Sequence, residues 1–258
     1  MVKFEEISSK DNGLIKHISS LQKSSKKRNN ENLFLLEGLR LCMDANQNGF
    51  ASKAVIVSDF AWKKFESECV LLAEKSEKAY IIPDSLFKKI SDTATPQGIM
   101  CEIKMPEYNL ENIDNKGRFV ALENIQDPSN LGAIARTAEA FGIDGIFITS
   151  GCDPYSSKSL RASMGALLRI PIYKIDDMFS VFAALNLKTY ASVVRDGDSI
   201  KEEDFTDGSV VLIGNEANGL QNESIAKCDR KITIPMDGNA ESLNASVAAS
   251  ILMWEMCK

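Results

Sequence analysis

The feature that most constrains the fold is a pair of short apolar runs separated by an amphipathic segment. The runs are residues 119–122 and 145–149, and each has the length and composition of a strand buried on both faces. Between them, apolar side chains recur at three- and four-residue intervals, which predicts a helix. Asp127 and Pro128 suit the cap and first turn of that helix, and Gly142 suits its end. The segment therefore predicts a β-α-β unit with parallel strands.

Two polar residues stand out within this unit. Asn130 and Arg136 lie in a helix that begins at the carboxyl end of a strand, where open α/β sheets bind ligands. An ordinary crossover explains the same residues, with Arg136 on a solvated helix face and Asn130 as an alternative cap. The unit alone leaves both interpretations open, and later segments decide between them.

Composition indicates a globular protein. The chain has 258 residues, of which 44% are hydrophobic and 26% are charged, enough for one large domain or two ordinary ones. No apolar run reaches the roughly 18 residues of a membrane span, and the first residues lack the apolar core of a signal peptide. We therefore expect a cytoplasmic protein without a membrane partner.

The cysteines and the single histidine exclude several kinds of site. The six cysteines lie far apart without a CxxC pair, so neither a zinc site nor a disulfide framework is indicated. Ser-His-Asp triads, Cys-His dyads and multi-histidine metal sites all require imidazole near the chemistry. His17 lies far in sequence from the candidate residues, and we interpret it as structural. Catalysis must depend on other groups, and no metal is expected.

Charge is distributed unevenly along the chain. The formal net charge of −6 argues against a wholly basic nucleic-acid binder. No acidic residue lies between Asp11 and Glu31, however. The basic residues in this interval are Lys16, Lys23, Lys26, Lys27 and Arg28. Such a local cationic patch can hold RNA phosphates despite the overall sign. A solvated linker whose lysines favour solubility is the alternative interpretation.

Strands and helices alternate along the whole chain, which predicts two α/β domains. Residues 1–105 are expected to form an α/β/α sandwich, residues 106–117 a polar linker, and residues 118–258 a second domain with a mostly parallel sheet. The predicted strands span residues 33–36, 54–57, 79–82, 99–103, 119–122, 145–149, 170–175, 189–194, 210–213 and 232–234. Besides the crossover helix, the predicted helices span residues 13–22, 39–47, 61–75, 84–90, 159–167, 178–185 and 243–256.

A second polar cluster follows the predicted strand 210–213. The strand leads directly into Gly214, Asn215 and Glu216, and Gly219 comes three residues after the carboxylate. Glycines after a strand allow backbone amides to approach a ligand closely. The spacing matches neither GxGxxG nor a phosphate-binding P-loop, which argues against a phosphate cradle. A nucleotide-dependent oxidoreductase is disfavoured because no GxGxxG turn follows the first strand of either domain. By itself, an exposed turn explains the cluster better.

A third cluster lies between the predicted strand 232–234 and an alanine-rich helix. The connection contains Pro235, and Ser242, Leu243 and Asn244 lead into the helix. Ser242 also suits the N-cap of that helix, which is its purely structural interpretation. Three strand-end loops thus carry the candidate polar residues.

Together, the three clusters resemble the SpoU (TrmH) family of RNA ribose 2′-O-methyltransferases, a branch of the trefoil-knotted SPOUT superfamily. The similarity is carried by DPSNLGAIARTAEAFG, IGNEANGL and IPMDGNAESLNAS, in the family's order and spacing, and it covers residues 118–258. The N-terminal half is similar to the family's L30e-like substrate-binding domain. That looser similarity rests on Lys27, Arg28, Phe34, Leu36, Glu37 and Gly38.

The resemblance implies a fold, a cofactor and a set of site residues. It implies a C-terminal α/β knot, formed by threading the chain through a loop, which general topology rules would not predict. It further implies that the knot binds S-adenosylmethionine. The implied cofactor-binding residues are Val193, Val194, Gly214, Asn215, Gly219, Ile234, Met236 and Leu243. The implied catalytic residues are Asn130, Arg136, Glu216, Ser242 and Asn244.

The resemblance also implies roles for these residues. The family's proposed base is the arginine that matches Arg136. Because arginine has a pKa of about 13, deprotonating it at neutral pH costs about 8 kcal/mol. A cationic arginine that holds an RNA phosphate, with that phosphate or a water receiving the proton, is physically easier, and both roles stay open. Asn130 would position Arg136 or the ribose, and Glu216 would pair with a basic side chain such as Arg136 of the partner subunit. Ser242 and Asn244 would orient substrate or cofactor.

The partners implied are RNA and a second copy of the chain. We expect a homodimer, joined through its knotted domains, that acts on the 2′-hydroxyl distinguishing RNA from DNA. The residues expected to hold RNA are Lys23, Lys26, Lys27 and Arg28. Ribosomal RNA, above all 23S rRNA, is favoured over transfer RNA. A non-catalytic RNA-binding factor in ribosome assembly is the alternative from a different class.

Overall fold

The computed structural model describes residues 3–205 and 208–258, and the chain divides into two compact units. The first unit runs to Pro106. It also includes Tyr155–Leu160. The second unit comprises Glu107–Pro154 and Arg161–Lys258.

The segment Tyr155–Leu160 is placed differently from the sequence-based division, which assigned it to the second domain. Its contacts explain the difference. The ring of Tyr155 packs 4.9 Å from that of Phe34, and Ser157 Oγ donates a hydrogen bond to Asp92 Oδ2 at 2.6 Å. Both partners are distant in sequence, so local periodicity contains no sign of this packing.

The first unit is built on a five-stranded mixed sheet. Its strands are β1 (Phe4–Glu6), β2 (Leu33–Glu37), β3 (Ser52–Ser58), β4 (Ser76–Ile82) and β5 (Ile99–Lys104). Its helices are α1 (Gly13–Lys23), α2 (Ser25–Glu31), α3 (Leu39–Gln47), α4 (Asp59–Lys64), α5 (Glu66–Glu74) and α6 (Asp84–Ile90). The strand order is β1-β4-β3-β5-β2, in which β5 runs antiparallel to both neighbours and the other pairs are parallel.

Local capping explains two elements that differ from the predicted ones. The polar stretch 23–32 contains α2, and the hydroxyl of Ser24 caps this helix by accepting from Lys27 N at 3.1 Å. The helix expected at 61–75 begins earlier and breaks at Phe65, whose φ of −132° is not helical. Short capped helices bury few apolar side chains, so hydrophobic periodicity does not find them.

The second unit contains a seven-stranded sheet. Its strands are β6 (Arg118–Leu122), β7 (Gly145–Ile148), β8 (Ile172–Lys174), β9 (Lys188–Ser192), β10 (Asp198–Ser199), β11 (Ser209–Ile213) and β12 (Arg230–Thr233). The helices in this part of the chain are α7 (Pro128–Ala140), α8 (Ser157–Ala162), α9 (Met178–Ala184), α10 (Asn222–Lys227) and α11 (Ala245–Met256). The strand order is β10-β12-β9-β11-β6-β7-β8, with every neighbouring pair parallel. The predicted fold class, α/β with a mostly parallel sheet, is confirmed.

The predicted β-α-β unit is confirmed by β6, α7 and β7. Asp127 caps α7 by accepting from Ser129 N at 2.8 Å, and Pro128 occupies the first turn. Gly142 follows the helix with a φ of +69°, a backbone conformation that favours glycine. Each of these signals acts within a few residues, which is why the sequence predicted the unit.

Parallel pairing brings the three polar clusters to one edge of the sheet. Ile213 of β11 pairs with Leu122 of β6, and Ser192 of β9 pairs with Ile232 of β12. The loops that follow these strands therefore leave the sheet side by side.

Besides α2, three further strands or helices were not predicted, and one helix begins later than expected. These three are β1, β10 and α10, all short. The final helix begins at Ala245, and its cap is Asn244 and not Ser242. Within residues 3–205 and 208–258, no helix combines the length and the apolar character needed to cross a membrane.

Candidate active site

A cavity of about 280 Å³ lies at this edge of the sheet, beside the start of α11. Residues that follow β9, β11 and β12 line it, together with the first residues of the helix. All of the implied cofactor-binding residues lie around it: Val193, Val194, Gly214, Asn215, Gly219, Ile234, Met236 and Leu243. The structure thus brings the whole set together from three separate loops.

The loop after β11 is closed by its own backbone. Asn215 N donates to Gly219 O at 3.0 Å, and Gly219 N donates to Asn215 O at 2.9 Å. A Cβ on Gly214 would lie 2.1 Å from backbone atoms of Gly219 and Leu220, so only glycine fits there. The sequence predicts that this glycine admits a ligand. The structure adds a second reason for glycine here, since the loop itself fills the space beside its Cα, and the close approach of a ligand stays a prediction.

The wall of the cavity combines apolar side chains with strand-end backbone groups. Val193, Ile234 and Met236 supply apolar surface, while the N–H and C=O groups of the loops are the donors and acceptors that an adenine requires. Among the residues that the structure describes, Glu216 is the only charged side chain in this wall. Such a lining fits S-adenosylmethionine, whose adenosine is uncharged and whose sulfonium is positive.

Three of the implied catalytic residues form one chain of hydrogen bonds that ends in the cavity wall. Asn244 Nδ2 donates to Asn130 Oδ1 at 3.0 Å, and Asn130 Nδ2 donates to Glu216 Oε1 at 2.9 Å. The backbone N–H groups of Gln126 and Asp127 donate to the same carboxylate at 3.1 and 3.0 Å. Asn130 is only 6% exposed, so its two partners hold its amide in one orientation.

The same contacts set the charge of Glu216. Burial acts to raise the pKa of this carboxyl, but hydrogen bonds from Asn130, Asp127 and Gln126 outweigh burial and leave the pKa below its usual value. Glu216 is therefore an ionised acceptor at neutral pH. Within the described part of one chain its partners are amides, and the basic partner implied by the resemblance is not among them.

Two family models match this chain, one in each half of the sequence. Residues 117–254 match the family described as SpoU rRNA Methylase. The chain belongs to the SpoU rRNA methylase family. It is therefore a methyltransferase, and its cofactor is S-adenosylmethionine. Residues 12–101 match the MRM3-like substrate binding domain.

Relatives of this SpoU chain span most of its length. The 23S rRNA (guanosine(2553)-2′-O)-methyltransferase RlmP of Bacillus subtilis is 29% identical over 255 residues, covering 98% of this chain and 99% of the relative. The 23S rRNA (uridine(2479)-2′-O)-methyltransferase of Streptomyces viridochromogenes is 28% identical, covering 89% of this chain and 84% of the relative. The crystal structure of an AdoMet-bound rRNA methyltransferase from Sinorhizobium meliloti has a TM-score of 0.88 at 27% identity, covering 98% and 97%.

Arg136 of this SpoU chain lies apart from the chain of hydrogen bonds. Its side chain is exposed and makes no hydrogen bond or ion pair with any residue in 3–205 or 208–258. Asn130 is buried six residues earlier in α7, which places the two side chains on different sides of the helix. Within one chain, Asn130 therefore does not position Arg136. It holds Glu216 and is itself held by Asn244.

Ser242 and Asn244 have different positions at the start of α11. Ser242 lines the cavity and is exposed. Asn244 Oδ1 accepts from Ser246 N at 2.9 Å and from Val247 N at 3.3 Å, so Asn244 is the residue that caps the helix. With its Nδ2 it also holds Asn130, and the cap thereby fixes the chain of hydrogen bonds to the sheet edge.

The four predicted RNA-binding residues differ in accessibility. Lys23 and Lys26 are exposed, and Lys27 forms an ion pair with the carboxylate four residues further along α2. Arg28 is only 6% exposed, and its Nη1 donates to the carbonyl of Leu21 at 2.6 Å. Its guanidinium holds the last turn of α1, so the prediction that Arg28 grips RNA is corrected to a structural role.

Several residues at the cavity were missed by the sequence analysis. They are Ser192, Ile213, Ala217, Asn218, Ile232, Thr233, Ala245, Ala248 and Leu252. Most of them adjoin a predicted residue at the same strand end, which was the available signal. The role of the Asn215 side chain had no such signal: its Nδ2 donates to Asn124 O at 2.9 Å and ties the loop after β11 to the loop after β6.

Proposed function

We propose that this enzyme transfers the methyl group of S-adenosylmethionine to a ribose 2′-hydroxyl of 23S ribosomal RNA in the cytoplasm. The family match supports this substrate, as do two relatives named for 2′-O-methylation of 23S rRNA. The observation that carries the proposal is the chain of hydrogen bonds from Asn244 through Asn130 to Glu216, which ends in the wall of the cofactor cavity.

The proposed reaction is an in-line displacement in which alignment supplies much of the rate. When bound, S-adenosylmethionine supplies a methyl group attached to a positively charged sulfonium. Asn130 and Glu216 are held by hydrogen bonds before any ligand arrives, so the wall beside the reacting groups needs little rearrangement. Ser242 lines the same cavity, and its hydroxyl can both donate to and accept from a ribose hydroxyl.

Arg136 is the proposed contact to the RNA backbone. Because it is exposed and unpaired within the described residues, its guanidinium is available for a two-pronged contact with a phosphate. We favour transfer of the ribose proton to that phosphate or to a water, since deprotonation of an arginine costs about 8 kcal/mol at neutral pH. The arginine then contributes charge and alignment.

The enzyme is proposed to work as a homodimer joined through α11, with Arg136 serving the partner subunit's cavity. Val247, Ile251 and Trp254 form an apolar surface on α11, and Trp254 is 53% exposed although its ring packs 5.5 Å from that of Phe141. Burial of this surface by a second copy would be favourable. We further propose that the C-terminal segment is threaded into a knot, as the resemblance to the family implies. Sedimentation analysis of Trp254→Glu, expected to yield monomers, tests the dimer.

Residues 1–105 are proposed to hold the RNA substrate. The match to the MRM3-like substrate binding domain supports this role, and Lys23 and Lys26 have exposed ammonium groups for phosphate contacts.

The decisive test is transfer of a labelled methyl group from S-adenosylmethionine to total RNA from a strain that lacks this gene. Wild type and Arg136→Ala are compared with Arg230→Ala, a matched control. Arg230 is an exposed arginine on β12 whose Nη1 lies 3.6 Å from the carboxylate of surface residue Asp198. We expect ribose labelling with wild type and with the control, and none with Arg136→Ala.

The position of the label separates the alternatives. Label in 23S rRNA supports the proposed substrate, whereas label in transfer RNA assigns the enzyme to the other substrate class. Binding of RNA by wild type without any labelling would replace the enzymatic proposal with a role in ribosome assembly.

A further inference from the structure

A second cavity adjoins the cofactor cavity. It measures about 270 Å³ and shares Val194, Thr233, Ile234 and Met236 with the first. Pockets for small molecules usually occupy about 300–1,000 Å³. Each cavity lies at the lower end of that range, and the two together fall well inside it. A ligand as long as S-adenosylmethionine therefore has room to extend from one into the other.

The two cavities differ in charge. The first has one charged side chain in its wall among the described residues, Glu216, whose carboxylate already accepts three hydrogen bonds of 2.9 to 3.1 Å. The second is lined by one cation, Arg195, and one anion, Glu241. Neither of these two makes a hydrogen bond or ion pair with any residue in 3–205 or 208–258. Both charged groups are thus available to a ligand.

The backbone around Arg195 is anchored to β12. Val194 O accepts from Thr233 Oγ1 at 3.0 Å. A Cβ on Gly197 would lie 2.8 Å from the backbone of Ile232, so the turn after Arg195 approaches the strand as closely as a glycine allows. The backbone of Arg195 is therefore held in place in the wall of the second cavity.

We propose that the second cavity holds the amino-acid end of S-adenosylmethionine, with Arg195 binding its carboxylate. That end carries a carboxylate and an ammonium on one carbon, and the second cavity offers one side chain of each opposite sign. The planar guanidinium of Arg195 matches the two oxygens of a carboxylate, and Glu241 is the complementary acceptor for the ammonium. The identity of the cofactor comes from the family match, so the inference does not depend on the proposed RNA substrate.

Titration calorimetry with two ligands isolates this contact. S-Adenosylhomocysteine carries the amino-acid end, and 5′-methylthioadenosine lacks it. Arg195→Gln should bind S-adenosylhomocysteine about 10-fold more weakly than wild type and 5′-methylthioadenosine equally well, because a two-pronged contact of charged hydrogen bonds with the carboxylate is worth about that factor. Arg230→Gln is the matched control, since Arg230 is an exposed arginine that lines neither cavity. It should leave both affinities unchanged.

Three results would overturn the proposal. Equal weakening for both ligands would show that the substitution disturbs the adenosine site. Unchanged affinity for both would show that the carboxylate lies elsewhere. Unchanged affinity for S-adenosylhomocysteine with weakened binding of RNA would make Arg195 a phosphate contact.

Glu241→Gln provides a second, independent variant. It should weaken S-adenosylhomocysteine alone by about 3-fold, the lower value reflecting the weaker contact expected of a single exposed ion pair. No loss for this variant would remove Glu241 from the proposed contact. Because the titrations need neither RNA nor turnover, their failure is distinguishable from failure of the methyl-transfer assay.

Discussion

Replacement of Asn130 by aspartate tests the chain of hydrogen bonds with almost no change in shape. In the wild type, Asn130 Nδ2 donates to Glu216 Oε1 at 2.9 Å. The substitution places a carboxylate oxygen where that donor was, facing a second carboxylate. At this separation, the repulsion between two unit charges is about 6 kcal/mol at an effective dielectric constant of 20 and about 1.4 kcal/mol in water.

Two effects determine how much of this repulsion appears as a loss of stability. Glu216 is exposed, so water screens part of the repulsion. One carboxylate of the pair can also be protonated. For an ordinary glutamate pKa of about 4.3, this protonation costs about 4 kcal/mol at pH 7 but only about 1 kcal/mol at pH 5. We therefore expect Asn130→Asp to lower the free energy of unfolding by about 2 kcal/mol more at pH 7 than at pH 5.

In the wild type, Glu216 contributes the same stability at pH 7 and at pH 5. Its pKa is lowered, so the stability it contributes is fully present above the ordinary glutamate pKa and is lost only as the pH falls through the lower folded value. Asn130→Ala removes the amide without adding charge. This variant should therefore lower the free energy of unfolding by the same amount at both pH values.

Urea unfolding measures these differences when the variants are made in a Trp62→Phe background, where the remaining fluorescence comes from Trp254 in the second unit. Equal destabilisation of Asn130→Asp at pH 7 and pH 5 would refute the reasoning. So would a pH effect of the same size in Asn130→Ala, because that variant has no introduced carboxylate.

Two pairs of substitutions test the remaining structural assignments. Arg28→Ala should lower the free energy of unfolding by about 2 kcal/mol, since it removes a buried hydrogen bond from a charged group, and should leave the salt dependence of RNA affinity unchanged. Lys26→Gln should instead reduce that salt slope by about one unit without affecting unfolding, and the opposite pattern would contradict both assignments. Gly214→Ala should cost about 3 kcal/mol in urea unfolding because the new Cβ would meet backbone. Gly13→Ala, where nothing lies within 4 Å, should be near neutral, and equal costs would count against this account.

Much of the fold was predictable because its signals are local. Asp127, Pro128 and Gly142 delimit α7 through a side-chain cap and through backbone preferences, which act over a few residues. The loop glycines and polar residues after β11 and β12 were found for the same reason. The short β1, β10 and α2 lack enough residues for a periodic pattern, so they were missed.

The positions of the candidate site residues were predictable only as a set. Parallel strands end at one edge of a sheet, so residues after β9, β11 and β12 had to lie near one another, and they surround one cavity. Which polar groups would bond to which was not predictable. Asn130 bonds to Glu216, 86 residues away, and not to Arg136 on its own helix.

The sequence by itself determined the fold class, the crossover unit and the three loops that carry the candidate residues. Tertiary structure decided that Glu216 is held by amides, that Arg28 is buried, and that Tyr155–Leu160 joins the first unit. Helix caps and hydrophobic periodicity depend on interactions between residues that are close in sequence, so they can be recognised from a single segment. Contacts between distant segments depend on the strand order, which follows from the summed burial and pairing of the whole sheet.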